Sequence, residues 1–219
     1  MEEFNESDIQ FHHPFRILAA AASGCGKSFW CKRFLDNLST LTETKFDKII
    51  YVYHTHQPLY EEIKREHPNI IWIRGLEEDT LETCTANRSQ LKLIVFDDLM
   101  PTISNSKDFA ELATTLSHHM NVSYILTLQN LLYQGTQSRT IHLQCTAYVL
   151  FKSPRDVTQV KVLANQLGIM SPQFVKRVHR EATRDKFQYL VIDLHISTPD
   201  SLRLRSGIFP GEKLTIYQE

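Results

Sequence analysis

Phe15-Arg16-Ile17-Leu18-Ala19-Ala20 is a short apolar run; it leads into Ala21-Ala22-Ser23-Gly24-Cys25-Gly26-Lys27-Ser28 and then into a helix-compatible segment from Ser28 to Leu38. Strand, glycine-containing loop and helix in that order set the loop's backbone N–H groups at a helix N-terminus, where they can wrap an anionic phosphate chain. The eight loop residues fit G-x-x-x-x-G-K-[ST] at every fixed position except the first, where Ala21 stands for glycine. Gly24 and Gly26 keep the backbone open to close approach, Lys27 can reach the outer phosphates, and the Ser28 hydroxyl can ligate Mg²⁺. Ser23, Gly24, Cys25, Gly26, Lys27 and Ser28 are therefore the candidate nucleotide-binding residues.

A second apolar run, Leu93-Ile94-Val95-Phe96, ends in Asp97-Asp98. Open α/β sheets place ligands at the carboxyl tips of their strands, so Asp97 is expected to hold hydrated Mg²⁺ together with Ser28. Asp98 is the candidate carboxylate for orienting or deprotonating an attacking water, against the plainer reading of a loop or cap aspartate. A third run, Val122 to Leu128, ends in Gln129-Asn130. An amide there can bond both the attacking water and a phosphate oxygen, or be an ordinary strand-end residue.

Working outward, further strand-like runs lie at Lys48 to Tyr53, Asn69 to Ile73, Ala147 to Phe151 and Gln188 to Leu194. Helical patterns lie between them: Leu59 to Glu66; Phe109, Leu112, Ala113 and Leu116; and Val157, Val160, Leu163, Ala164 and Leu167. Ser153-Pro154 and Ser171-Pro172 each put a capping hydroxyl before a proline suited to a first helical turn. Leu202-Arg203-Leu204-Arg205 alternates like an edge strand. Strand alternating with helix predicts an α/β domain of three layers, a P-loop NTPase fold with a central, mainly parallel sheet and helices on both faces.

The 219 residues are 42% hydrophobic and 22% charged, with 7 Gly and 8 Pro, which excludes collagenous and mostly disordered chains. Residues 1–13 read as a polar arm and 14–219 as a single domain. A net charge of −1 gives no global basic field, so any nucleic-acid contact must come from local patches or a ring of subunits. Cys25, Cys31, Cys84 and Cys145 form no CxxC pair and no metal spacing, which suits reduced thiols in a reducing compartment. The acidic start lacks a signal peptide's charge and apolar run, and no stretch of about 18 apolar residues appears, so the expected location is intracellular, without a membrane span.

Thr44-Lys45-Phe46-Asp47 looks like a guanine-reading motif, but it precedes the Asp97 strand and no D-x-x-G accompanies it. A small-molecule kinase would need no Asp98 and would carry an arginine-bearing lid, which Arg177, Arg180 and Arg184 could imitate. The extra strand Asn69 to Ile73 between the phosphate motifs, with the polar residue after the next strand, points instead to the additional-strand class of P-loop enzymes.

In this order the motifs resemble the genome-packaging ATPases of double-stranded DNA viruses and Maverick/Polinton transposons, within the FtsK/HerA superfamily of DNA-pumping motors. The resemblance runs over Pro14 to Ser28, Phe96 to Met100, Ser117-His118-His119, Leu128 to Leu131 with Gln134-Gly135, Ser138-Arg139-Thr140, Phe151 to Asp156 and Tyr189 to Asp193. It implies ATP and Mg²⁺ as cofactors, held by Lys27, Ser28 and Asp97, with Asp98 as catalytic carboxylate and Gln129 as polar sensor. The superfamily more often carries Glu at the Asp98 position, and Asp is one methylene shorter.

A ring motor also needs a cation donated across the subunit boundary. Arg139, in a polar loop past the sensor strand, is preferred over Arg155, which Asp156 can pair locally. Residues 152–186 carry eight Lys or Arg against three Asp or Glu, with Arg177, Arg180 and Arg184 on one side of a helix. In a ring these could grip DNA phosphates without reading sequence; alone they are equally a solvated helix face. The expectation is an ATP-hydrolysing homo-oligomeric ring that moves double-stranded DNA into a capsid, with a capsid or portal-vertex protein as partner. The alternatives are a P-loop nucleotide or nucleoside kinase, and a non-catalytic nucleotide-binding assembly protein.

Overall fold

The computed structural model describes residues 6–116, 119–131, 134–153 and 157–219. The Ser153-Pro154 helix start, Arg155, and the Ser117-His118 pair therefore fall wholly or partly outside the described residues. The apolar runs form strands β1 (Arg16–Ala20), β2 (Lys48–Tyr53), β3 (Ile71–Arg74), β4 (Lys92–Asp97), β5 (Val122–Leu128), β6 (Ala147–Phe151) and β7 (Tyr189–Asp193), followed by β8 (Leu204–Ser206) and β9 (Thr215–Ile216). They make one sheet in the order β3-β2-β4-β5-β1-β6-β7-β8-β9. Strands β1 to β6 are mutually parallel, and β7 to β9 add antiparallel.

Strand β1 is apolar from Ile17 to Ala20, where both of its faces are covered. Ile17 and Ala19 join Trp30 and Phe34 of the Lys27–Asp36 helix and Tyr60 and Ile63 of the Leu59–Glu66 helix. Leu18 and Ala20 face the other way, into a layer holding Phe109, Ile141, Leu163 and Val175. Removing each large apolar side chain from water stabilises the fold by roughly 1.5–3 kcal/mol, so these two layers hold the helices on the sheet. Ser171 accepts a bond from the Phe174 N–H at 3.3 Å with Pro172 in the first turn, which begins the Pro172–Ala182 helix as its sequence predicts.

Four sequence expectations need correction. The strand at Ile71–Arg74 lies at the sheet's edge; the strand separating the phosphate-loop strand β1 from the Asp97 strand β4 is β5. Order along the chain does not reveal order in space. Leu202-Arg203-Leu204-Arg205 is not an alternating edge: Leu202 ends a 3₁₀ turn, β9 lies outside β8, and Leu204 and Arg205 are both buried. The polar arm read at residues 1–13 is not separate from the domain from Glu6 onward, since Glu6–Ile9 forms a 3₁₀ turn and the apolar Phe11 ring packs on Phe34 while the Phe11 N–H donates to the Leu41 carbonyl. Arg184 lies past the end of the Pro172–Ala182 helix, where the Thr183 hydroxyl donates to the His179 carbonyl at 2.7 Å and closes the last turn.

Short helices at Glu78–Thr85 and Ser138–Leu143 give little apolar periodicity to read. The first is marked by a reciprocal cap between Glu77 and Thr80.

Candidate nucleotide and magnesium site

The parallel strands β1, β4 and β5 end on the same edge of the sheet, and their carboxyl tips carry the loop 21–28, Asp97-Asp98 and Gln129. These side chains meet at one cavity of about 250 Å³, lined by Ser23, Gly24, Gly26, Lys27, Ser28, Asp97, Asp98 and Gln129, with Phe29, Gln57, Leu59 and Phe187 at its walls. Cys25 sits in the loop outside that lining, its thiol donating toward the Lys152 carbonyl at 3.5 Å.

The loop closes on itself through the Cys25 N–H to the Ala22 carbonyl, and the helix starts with the Trp30 N–H on the Gly26 carbonyl. Gly26, at φ 96°, is the N-terminal flanking residue, and no side chain caps the helix there. Its first-turn amides therefore keep their capacity for an anion. Ala21 has no positive φ among the described residues, so a methyl group at this first motif position meets no backbone strain.

The Lys27 ammonium is folded back onto the carbonyls of Ala21 at 2.6 Å and Ala22 at 3.1 Å. Among the described residues no carboxylate lies within 4.0 Å of it, since none of the ion pairs includes Lys27. Burial lowers its pKa, and the charges of Asp98 and Asp97 offset part of that effect. A buried cation with carbonyl neighbours alone is electrostatically short of an anion, which a polyphosphate would supply.

Asp97 is 1% exposed, and its carboxylate accepts three hydroxyls. Tyr51 and Tyr60 donate to Oδ2 at 2.7 and 2.9 Å, and Thr127 donates to Oδ1 at 2.6 Å. Burial and then the Asp97 charge push both tyrosine hydroxyls far above their usual pKa, so they remain donors at every ordinary pH. The Tyr51 ring is stacked on Trp72 at 4.6 Å, which fixes its direction. Sequence reasoning missed Tyr51, Tyr60 and Thr127; the available signal was a tyrosine inside an apolar strand, whose buried hydroxyl needs a partner.

Thr127 also accepts the Asp98 N–H at 3.0 Å, so one hydroxyl ties both aspartates to β5. Asp98 has φ 59°, an uncommon conformation for a residue with a side chain, and its carboxylate meets Gln129. The Gln129 amide donates to both Asp98 oxygens. The donor set fits magnesium: a buried carboxylate and the Ser28 hydroxyl are hard oxygen ligands on one cavity with room for the waters that Mg²⁺ retains.

Arg139 is not brought to this cavity. It is exposed on the Ser138–Leu143 helix and lines a different cavity of about 690 Å³ with Gln134, His142, Tyr148 and Leu163. Arg177 and Arg180 are exposed, with Arg177 5.2 Å from the Phe174 ring centre. The cluster Asp36, Glu66 and His67 has metal-ligand spacing, but Lys32 bridges Asp36 and Glu66 and neutralises it from within.

No family model matches this chain, and no curated protein does. Solved structures do. The genome packaging NTPase B204 from Sulfolobus turreted icosahedral virus 2, in complex with sulfate, aligns over 94% of this chain and 97% of that one at a TM-score of 0.59 and 11% identity. The same NTPase in complex with ATP-gammaS aligns over 94% and 98% at 0.57 and 11% identity. The cytoplasmic domain of the Thermomonospora curvata type VII secretion ATPase EccC aligns over 93% of this chain and 25% of that one at 0.53 and 13% identity. The chain shares the fold of these ATPases, and the structural neighbours include the packaging type that the sequence motifs resemble.

Proposed function

We propose that this protein is an ATP hydrolase that works as a homo-oligomeric ring and drives double-stranded DNA into a viral capsid. The observation that carries the hydrolytic reading is the convergence of Asp98 and Gln129 on the cavity shared by Lys27, Ser28 and Asp97. A site that only bound nucleotide would have no use for a carboxylate and an amide poised together beside the phosphate loop.

In this reading the loop amides and Lys27 bind the phosphates, and Asp97 and Ser28 hold magnesium. Magnesium held by Asp97 and Ser28 would supply charge neutralisation to the phosphates. Asp98 accepts the proton of the attacking water, and Gln129 holds both that carboxylate and the water in line. The three hydroxyls on Asp97 hold its carboxylate in place while the reaction proceeds.

The packaging reading is supported by a fold shared along nearly the full length of a genome packaging NTPase. Arg139, exposed and outside the lining of its own chain's phosphate cavity, suits donation to a neighbouring subunit's nucleotide. Exposed Arg177 and Arg180 suit phosphate contacts with DNA, and a capsid or portal-vertex protein would anchor the ring. The test is steady-state ATPase with and without long duplex DNA. Stimulation of several-fold that fades as salt rises is expected. No stimulation, together with phosphoryl transfer to a nucleotide or nucleoside acceptor, would replace the motor with a kinase.

A further inference from the structure

Phe187 is held where bulky side chains are rarely found. Its backbone lies at φ 65°, and its ring is 62% exposed. Left-handed backbone at a large residue is costly and persists where the surroundings impose it; such outliers gather at ligand sites. Here the surroundings are specific. Lys152 donates to the Arg184 carbonyl at 2.6 Å, the Gln188 side chain accepts the Asp185 N–H at 3.3 Å, and β7 begins at Tyr189.

The ring stands against the phosphate loop, so close that a Cβ added to Gly26 would lie 3.0 Å from Phe187 Cδ1. It also stands between two cavities. One is the phosphate cavity; the other, of about 680 Å³, is bounded by Arg33, Arg184, Gln188, Tyr189 and Glu212. Among the residues described as lining them, Phe187 alone belongs to both.

Topology gives the direction of a bound nucleotide. Asp98 and Gln129 lie on the β4–β5 side of β1, so a terminal phosphate directed at them leaves the nucleoside on the opposite side, toward β6 and β7. The residue waiting there, two positions before β7, is Phe187. We propose that Phe187 is the platform on which the base of the bound nucleoside triphosphate stacks. Stacking uses the π-face that every base has, so this contact adds affinity without choosing adenine over guanine.

This inference rests on the nucleotide reading of the phosphate loop, and the experiment separates the two. Calorimetric titration of the intact chain, of Phe187→Ala and of Phe187→Trp would use magnesium-ATP, magnesium-GTP and magnesium tripolyphosphate, which has no base. Phe187→Ala should weaken ATP and GTP alike by about tenfold and leave tripolyphosphate unchanged. Phe187→Trp should retain ATP affinity, with indole fluorescence quenched by ATP and not by tripolyphosphate. Unchanged ATP binding in Phe187→Ala would refute the platform and leave the phosphate site standing. Equal weakening of all three ligands would overturn it as well, by reducing Phe187 to a prop for Gly26. An intact chain that bound none of the three would remove the nucleotide reading itself.

Discussion

The Gln129 side-chain amide donates to both carboxylate oxygens of Asp98, at 2.7 and 2.9 Å. An amide that spans a carboxylate fixes its plane, and here it does so at the edge of the phosphate cavity. If Asp98 takes the proton of the attacking water, Asp98→Asn should lower single-turnover hydrolysis by about 10² or more, the usual contribution of a positioned base. ATP affinity should stay within a few-fold. A variant that hydrolysed ATP at the parental rate would remove Asp98 from this role.

Arg139 lines a cavity other than the one shared by Lys27, Asp97 and Asp98, so its proposed contribution is testable by mixing. Arg139→Ala subunits should bind ATP and fail to turn it over, and Asp98→Asn subunits should do the same for a different reason. Mixed rings would place an intact Arg139 beside an intact Asp98 at some boundaries, and activity should return in part. Full activity of Arg139→Ala alone would end the assignment and move attention to Arg155.

A buried ion pair closes the C-terminal part of the sheet. Arg205 is fully buried and donates to Asp193 at 2.7 Å, to the Leu202 carbonyl at 2.9 Å and to the Ile9 carbonyl at 3.1 Å. It thereby joins β7, β8 and the N-terminal segment. Removing one member of such a pair leaves an uncompensated charge out of water, at a cost of about 3–5 kcal/mol. Arg205→Met should destabilise by that amount in urea unfolding, and Arg205→Met with Asp193→Leu should recover most of it. Equal losses in the single and double variants would mean that the carbonyl contacts, not the ion pair, hold the segment.

The phosphate loop and Asp97 were legible because their chemistry is local: eight consecutive residues carry one motif, and four apolar residues ending in aspartate carry the other. The helix start at Ser171-Pro172 was legible for the same reason. What surrounds Asp97 was not. Tyr51, Tyr60 and Thr127 come from two strands and a helix spread over 77 positions of sequence, and only their packing brings three hydroxyls to one carboxylate. Arg205 misled because alternation of Leu and Arg normally means one wet face, whereas Asp193 on the neighbouring strand makes a buried arginine tolerable. The placing of β5 between β1 and β4 was hidden for a topological reason, since neighbours in a parallel sheet need not be neighbours in the chain. Phe187 carries no local signal at all; its exposure and its left-handed backbone exist only in the fold.

His142 gives a pH dependence with a definite sign. Its imidazole lies in the cavity beside Arg139, stacked near Tyr148 at 6.1 Å, and neither ring nitrogen has a hydrogen-bond partner among the described residues. Burial pulls its pKa down from 6.5 to about 4. In the unfolded chain the ring would take up a proton near pH 6.5, while the folded chain resists it until near pH 4, so the native state loses stability as pH falls through that interval. Between pH 7.5 and 5 this loss should be about 2 kcal/mol. His142→Phe keeps an aromatic ring against Tyr148 and removes the titration. Urea unfolding at the two pH values should therefore show the variant losing about 2 kcal/mol less than the parent chain. The same loss in both proteins would mean that the native state admits the proton without cost, and that the cavity around His142 is open to water.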